Sequence, residues 1–261
     1  MDYWFTIEAI DRETFLFSEY CHREETHCYV LFGSYRILVI DTGMGIEDLA
    51  FAVDYIARRF FSKLNQRAIQ VVTTHAHWDH IGGHAGFDNV AVHPAELDWI
   101  SGNFPLELDN VKRQILDGAE YLPNGFDIDQ YRIFNGRPNM LLNNGDMFSL
   151  GDRDVVVIHT PGHSPGHCCF FELQRGYLYT GDLVYLGCLD AYYPSTDPMQ
   201  FWESIKKIKT LAFTDIMPGH YNPNLPMDII DRIDNAFGEL YEQGKFQNKG
   251  IHDFGDFQIH I

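Results

Sequence analysis

The chain has 261 residues and is 45% hydrophobic, which is enough to bury a large core as one domain, or at most two. Its 37 acidic residues against 19 Lys and Arg give a formal charge of −18, which excludes nucleic acid as an expected partner because phosphate backbones are repelled. Five cysteines without disulfide-framework spacing, no signal-like start and no run of 18 apolar residues predict a cytoplasmic protein with no membrane partner.

The first predicted elements are a β-hairpin and a helix. Residues 29–32 and 36–40 are predicted strands on either side of Gly33-Ser34, and the second strand ends at Asp41-Thr42-Gly43. Apolar residues at alternating steps of three and four then predict a helix with one buried face. These residues are Ile46, Leu49, Val53, Ile56 and Phe60.

The most specific feature follows a predicted buried strand at residues 69–73. The run His75-Ala76-His77-Trp78-Asp79-His80 places four candidate metal ligands within six positions. In an extended segment His75, His77 and Asp79 share one face, and a turn at Asp79 brings His80 alongside them. Because α/β folds place ligands at the carboxyl ends of strands, the run predicts a metal site.

Residues 94–144 interrupt the succession of predicted strands and helices. A helical segment at 111–121 lies among Gly, Pro and Asn residues, so we interpret the stretch as an insertion within a single domain spanning 1–261. Strands are predicted at 155–158, 168–173 and 177–179. Asp197-Pro198 predicts the start of one helix, and a last helix runs from about 227 to Gly244. The tail from 245 is predicted to form an edge strand.

Three more candidate ligands follow predicted strands. His163 lies in the loop Thr160-Pro161-Gly162-His163, whose Pro and Gly residues produce a sharp turn. Asp182 ends Thr180-Gly181-Asp182, and His220 ends Met217-Pro218-Gly219-His220. Each of the three is therefore expected at a strand terminus.

Together these motifs resemble the metallo-β-lactamase superfamily, specifically its binuclear hydrolase branch, over residues 29–221. The resemblance implies an α/β fold, a four-layer αββα sandwich, and two divalent metal ions. It implies that His75, His77 and His163 bind one ion, that Asp79, His80 and His220 bind the other, and that Asp182 bridges them. Because no ligand position is Cys, the chain resembles glyoxalase II-like thioesterases and lactonases more than true β-lactamases.

The implied ligand set is imidazole and carboxylate, which suits zinc, with iron or manganese as alternatives. Two such ions supply hydroxide near neutral pH and polarise a carbonyl oxygen. Asp79 is the predicted proton shuttle in addition to its role as a ligand. Tyr185 follows Asp182 in an Asp-x-x-Tyr arrangement that resembles acyl-homoserine-lactonases, so it is a candidate donor to the substrate carbonyl, with packing as the competing role.

We therefore predict a metal-dependent hydrolase of a thioester or ester-like acyl bond, acting on a small-molecule acyl substrate. The alternatives are a lactonase of the acyl-homoserine-lactone type, a phosphodiesterase, and an iron-dependent oxygen-using enzyme on the same scaffold. A homodimer is left open. Cys21-His22 and His27-Cys28 superficially suggest a zinc clamp, which we reject because Cys28 begins a strand and the spacing is wrong.

Overall fold

The computed structural model describes residues 4–61 and 68–261. The chain divides into two compact units. The first contains the described parts of 1–92 together with Leu97–Leu141 and Ser149–Arg153, and the second contains His93–Glu96, Leu142–Phe148 and Asp154–Ile261. No helix within the described residues is long and apolar enough to cross a membrane.

The first unit contains a seven-stranded sheet in sequential order, β1 to β7. Neighbouring strands from β1 to β4 are antiparallel, and those from β4 to β7 are parallel. The strands are β1 Thr6–Ala9, β2 Thr14–Ser18, β3 His27–Phe32, β4 Ile37–Ile40, β5 Ile69–Val72, β6 Val90–Val92 and β7 Met140–Leu141. The α-helices in the described part of this unit are α1 Leu49–Phe60, α2 Trp78–Ile81 and α3 Leu108–Gly118.

The second unit contains a five-stranded sheet and a three-stranded sheet. The five-stranded sheet has the order β13-β11-β10-β9-β8, and the three-stranded sheet has the order β12-β15-β14. The strands are β8 Met147–Ser149, β9 Asp154–His159, β10 Cys168–Glu172, β11 Tyr177–Gly181, β12 Cys188–Asp190, β13 Asp215–Pro218, β14 Ile251–Asp253 and β15 Gln258–His260. The helices are α4 Pro198–Lys209 and α5 Ile229–Glu242.

Each unit buries its own apolar core. In the first, Leu49 and Val53 of α1 join Val30, Val39 and Val71 of the sheet. In the second, residues of α4 and α5 join those of the five-stranded sheet, and they include Leu178, Ile205, Ile208, Ile216, Ile233 and Phe237. Burying each such side chain contributes roughly 1.5–3 kcal/mol, so these contacts fix the strands from which the candidate ligands extend.

Most predicted elements are present. The hairpin at 29–40 pairs Tyr29 with Ile40, as β3 and β4. Asp197 caps α4 by accepting hydrogen bonds from the main-chain N–H groups of Met199 and Gln200, an arrangement that stabilises a helix by ~1 kcal/mol. The helix predicted at 111–121 is α3, three residues earlier than expected.

Some expectations were wrong in detail. Ile46 precedes α1, and Phe60 is 58% exposed at its last position, so the buried face is shorter than the periodicity suggested. The tail supplies β14 and β15, of which only β14 is an edge strand. Strands β1 and β2 were missed because a short apolar run such as Phe15-Leu16-Phe17 has no period that identifies a strand.

Candidate metal centre

Four of the candidate ligands lie together in the first unit. The strand β5 ends at Val72, His77 is extended, and α2 begins at Trp78. Asp79 therefore lies in a helical turn with His80, whereas we predicted an extended segment through Asp79 and a turn only at that residue. The His75 ring lies 4.3 Å from the rings of both His77 and His80, and His80 Nε2 lies 3.9 Å from Asp79 Oδ2.

Asp41 holds this cluster in place. Its carboxylate accepts hydrogen bonds from Thr74 N at 2.7 Å and Thr74 Oγ1 at 2.6 Å, and lies 2.9 Å from His80 Nδ1. Since a carboxylate only accepts, Nδ1 of His80 carries the proton and Nε2 keeps its lone pair. The backbone of Asp41 has φ 59°, a left-handed conformation that Asp and Asn tolerate better than most residues.

Asn tolerates the left-handed backbone as Asp does, so Asp41→Asn keeps the conformation. It replaces one carboxylate oxygen, which accepts hydrogen bonds from Thr74 and His80, by an amide N–H₂ group, which can only donate. We expect the affinity of His80 for a divalent ion to fall about 10–100-fold, because the ring loses the acceptor that fixes its tautomer. Zinc titration by calorimetry measures this change. Asp11→Asn, in the turn before β2, is a control that also removes a carboxylate that accepts hydrogen bonds. An unchanged zinc affinity in Asp41→Asn would contradict the orienting role.

Two further buried residues support the same region. His84 lies 2.6 Å from Thr42 Oγ1 and 2.9 Å from Thr73 Oγ1. Burial lowers the pKa of His84 to about 3, so a neutral imidazole contacts both hydroxyls. Glu19 accepts hydrogen bonds from Trp4 Nε1 and Met44 N at the end of the Asp41 turn, and burial raises its pKa to about 8. No sequence motif identifies Glu19, so we missed it.

The other three candidate ligands lie together in the second unit. Asp182 follows β11, and its two oxygens face different imidazoles. Oδ2 lies 3.4 Å from His163 Nε2, and Oδ1 lies 3.1 Å from His220 Nε2. All three side chains belong to buried residues. The carboxylate therefore occupies the position of a bridge between the two rings.

The protonation of the His163 ring indicates whether these residues fit a metal ion, because a ligand nitrogen must keep its lone pair. His163 Nδ1 lies 3.2 Å from the carbonyl oxygen of Asp190, which can only accept, so Nδ1 carries the proton of a neutral ring. The lone pair on Nε2 then faces a carboxylate oxygen of Asp182. Two electron-rich atoms in this arrangement are stabilised by a cation, and imidazole nitrogen with carboxylate oxygen suits a divalent metal.

His167 and Glu96 position this second group of ligands. His167 Nε2 accepts the N–H of Asp182 at 3.2 Å, which leaves its Nδ1 to donate to Thr160 Oγ1 at 2.9 Å. Glu96 Oε1 accepts hydrogen bonds from Ser164 Oγ at 2.7 Å and Gly166 N at 2.6 Å, which fixes the loop that carries His163. Glu96 was missed because nothing in the sequence links it to a loop 68 residues away.

Tyr185, the candidate carbonyl donor, is buried beside His220 with a ring-centroid distance of 5.5 Å. Its hydroxyl donates to the carbonyl oxygen of Cys188. A phenol has one hydrogen to donate, so this bond uses the hydrogen that a substrate carbonyl would need. The geometry favours the packing role, and the role of carbonyl donor stays a prediction.

Similarity to known proteins identifies the family and the fold of this chain. Residues 23–220 match the model of the metallo-beta-lactamase superfamily. The chain is 29% identical over 236 residues to human acyl-coenzyme A thioesterase MBLAC2, covering 84% of this chain and 82% of that one. It is also 29% identical to the hydroxyacylglutathione hydrolase of Maricaulis maris, over 54% of this chain and 43% of that one.

Solved structures confirm the predicted α/β sandwich class. The metallo-beta-lactamase from Pontibacter korlensis superposes with a TM-score of 0.65 at 15% identity, covering 94% of this chain and all of the other. A metallo-beta-lactamase family protein from Thermus thermophilus gives 0.63 at 18% identity, covering 93% and 85%. The family match and the His and Asp clusters indicate divalent metal binding. The chain therefore belongs to the metallo-beta-lactamase superfamily and is a hydrolase of that fold.

Proposed function

We propose that this chain hydrolyses a thioester of a small acyl group by means of two divalent metal ions. The observation that carries the dinuclear part is Asp182, whose two carboxylate oxygens each face the Nε2 atom of a different histidine. The thioester part is supported by the acyl-coenzyme A thioesterase relatives, which match most of both chains. The match to hydroxyacylglutathione hydrolases is shorter, so we favour acyl-coenzyme A over acylglutathione as the substrate.

The proposed ligand assignment follows the family. In this assignment His75, His77 and His163 would hold one ion, Asp79, His80 and His220 would hold the other, and Asp182 would contribute to both. The donors are nitrogen and oxygen only, which makes zinc the first choice and leaves iron and manganese as alternatives. Because Nδ1 of His80 and of His163 carries the proton, the Nε2 atom of each ring keeps the lone pair that would bind a metal ion.

When bound, two divalent ions supply hydroxide near neutral pH and polarise the substrate carbonyl. The residues of the chain then transfer the proton and orient the ligands. Asp79 accepts a proton released from water and returns it to the departing sulfur, so the C–S bond breaks as a C–O bond forms and the products are an acid and a thiol. Asp41 and His167 keep His80 and Asp182 in orientation throughout.

Tyr185→Phe tests the role of the hydroxyl. We expect kcat to stay within about threefold of wild type, because the hydroxyl is bonded to Cys188, and the free energy of unfolding to fall by ~1 kcal/mol. Steady-state kinetics on a thioester and a lactone, with urea unfolding, provide the measurements. A fall in kcat of about 10²–10³ would instead support the predicted donor to the substrate carbonyl.

A substrate panel tests the proposal as a whole. Metal-reconstituted protein is assayed for thiol release from acyl-coenzyme A and acylglutathione esters, for opening of acyl-homoserine lactones, and for phosphodiester cleavage. We expect thioesters to give the highest kcat/KM, with the His163→Gln variant, purified in parallel, as a control for contaminating enzymes. A preference for lactones or phosphodiesters would overturn the thioesterase assignment, while leaving the metal ligands to be tested separately.

A further inference from the structure

A second group of metal-ligand side chains lies on the three-stranded sheet of the second unit. Strands β12 and β15 are parallel, and Asp190 is directly opposite His260. Cys188 precedes Asp190 by two positions, so both side chains lie on the same face of β12. The intervening Leu189 and its partner Ile259 are fully buried on the opposite face. The strand register therefore places sulfur, oxygen and nitrogen donors together on the half-exposed face.

The donor atoms are already close to one another. Nδ1 of His260 lies 3.6 Å from Oδ1 of Asp190. One donor atom from each of Cys188, Asp190 and His260 lies within 4.8 Å of the other two. In a tetrahedral zinc site, ligand bonds of about 2.0–2.3 Å put donors roughly 3.4 Å apart, so small side-chain rotations complete the arrangement.

Neighbouring residues restrict the movement of these side chains. The ring of His260 is stacked on Tyr192 at a centroid distance of 3.6 Å and an interplanar angle of 18°. The main-chain carbonyl oxygen of Cys188 accepts the hydrogen bond from Tyr185, which restrains the backbone that carries the Cys188 side chain. Held ligands lose less conformational entropy on binding an ion than mobile ones do, which favours a site over a chance cluster.

We propose that Cys188, Asp190 and His260 bind one divalent metal ion of borderline softness, with zinc as the best match. A thiolate, an imidazole and a carboxylate together select zinc over magnesium or calcium, which prefer oxygen ligands. The site is distinct from the proposed dinuclear centre, whose seven ligands include no sulfur. It would also connect to that centre, because the carbonyl oxygen of Asp190 accepts the proton of His163 Nδ1.

Cobalt provides the test, since a thiolate bound to Co²⁺ gives a charge-transfer absorption that nitrogen and oxygen ligands do not give. Metal-free protein is titrated with CoCl₂ in the absence of added thiols. We expect this absorption to grow to saturation in wild type and in Cys21→Ser, and to be absent in Cys188→Ser. Cys21 is a suitable control because it is a half-buried cysteine in the first unit.

A second variant keeps the test informative if Cys188→Ser fails to fold. His260→Gln keeps the thiol and changes a partly exposed ring, and we expect its cobalt affinity at this absorption to fall at least about 10-fold. Far-ultraviolet circular dichroism in chelator checks that each variant is folded. No thiolate absorption in wild type, its persistence in Cys188→Ser, or an unchanged affinity in His260→Gln would overturn the proposal. None of these readouts depends on thioester hydrolysis, so the two proposals fail independently.

Discussion

Asp79→Asn is expected to lower kcat by about 10²–10⁴ while changing KM only slightly, which is the range that a positioned acid or base contributes. Asparagine keeps an oxygen that can bind a metal ion but cannot accept and return a proton. Steady-state kinetics on an acyl-coenzyme A substrate, with the metal content of the same sample measured, separates the two roles.

Asp88→Asn is the matched control for this variant, since Asp88 is an exposed acid nine positions further along the chain. We expect it to keep the wild-type kcat. If Asp79→Asn keeps both its metal and a near-normal kcat, Asp79 is a ligand alone and does not transfer the proton.

Asp182→Ala is expected to lower kcat by roughly 10³-fold or more, because several kcal/mol of metal-derived stabilisation are lost when a shared ligand is removed. Elemental analysis is carried out in a Cys188→Ser background, which lacks the separate site proposed above. Protein purified without chelator should then give about two metal equivalents, and fewer than about one when Asp182→Ala is added. His220→Ala should keep about one, because in the proposed assignment it contacts a single ion.

Asp215→Ala is the control for this series, because Asp215 is an exposed acid at the start of β13 and should leave both metal equivalents in place. One tightly bound ion and no second in the Cys188→Ser background would contradict the dinuclear proposal. So would two retained ions in Asp182→Ala.

The sequence placed His75, Asp182 and His220 shortly after strands whose apolar pattern is clear, and the structure has strands there; the role of these residues as metal ligands stays a prediction. β5, β11 and β13 precede His75, Asp182 and His220, respectively. Local signals of this kind, including the Asp197 cap of α4, act over a few residues and can be read from one chain.

The conformation of the His-rich run could not be read in the same way. α2 has only four residues, too few for a helical period, so alternation suggested an extended segment through Asp79. The supporting residues Glu19 and Glu96 were also missed, since they reach the turn after Asp41 and the His163 loop through contacts distant in sequence. Tyr185 matched a motif, but its hydrogen bond to Cys188 depends on a local turn that the motif does not specify.

Metal-dependent thioester hydrolysis is the central property of the proposed function. The decisive measurement is the rate of thiol release from an acyl-coenzyme A ester by chelator-treated protein as zinc is returned in increments. In a Cys188→Ser background, which lacks the separate site proposed above, we expect a negligible rate without metal and a rise to a plateau at about two equivalents per chain. Full activity in metal-free protein, or no thiol release from fully reconstituted protein, would contradict it.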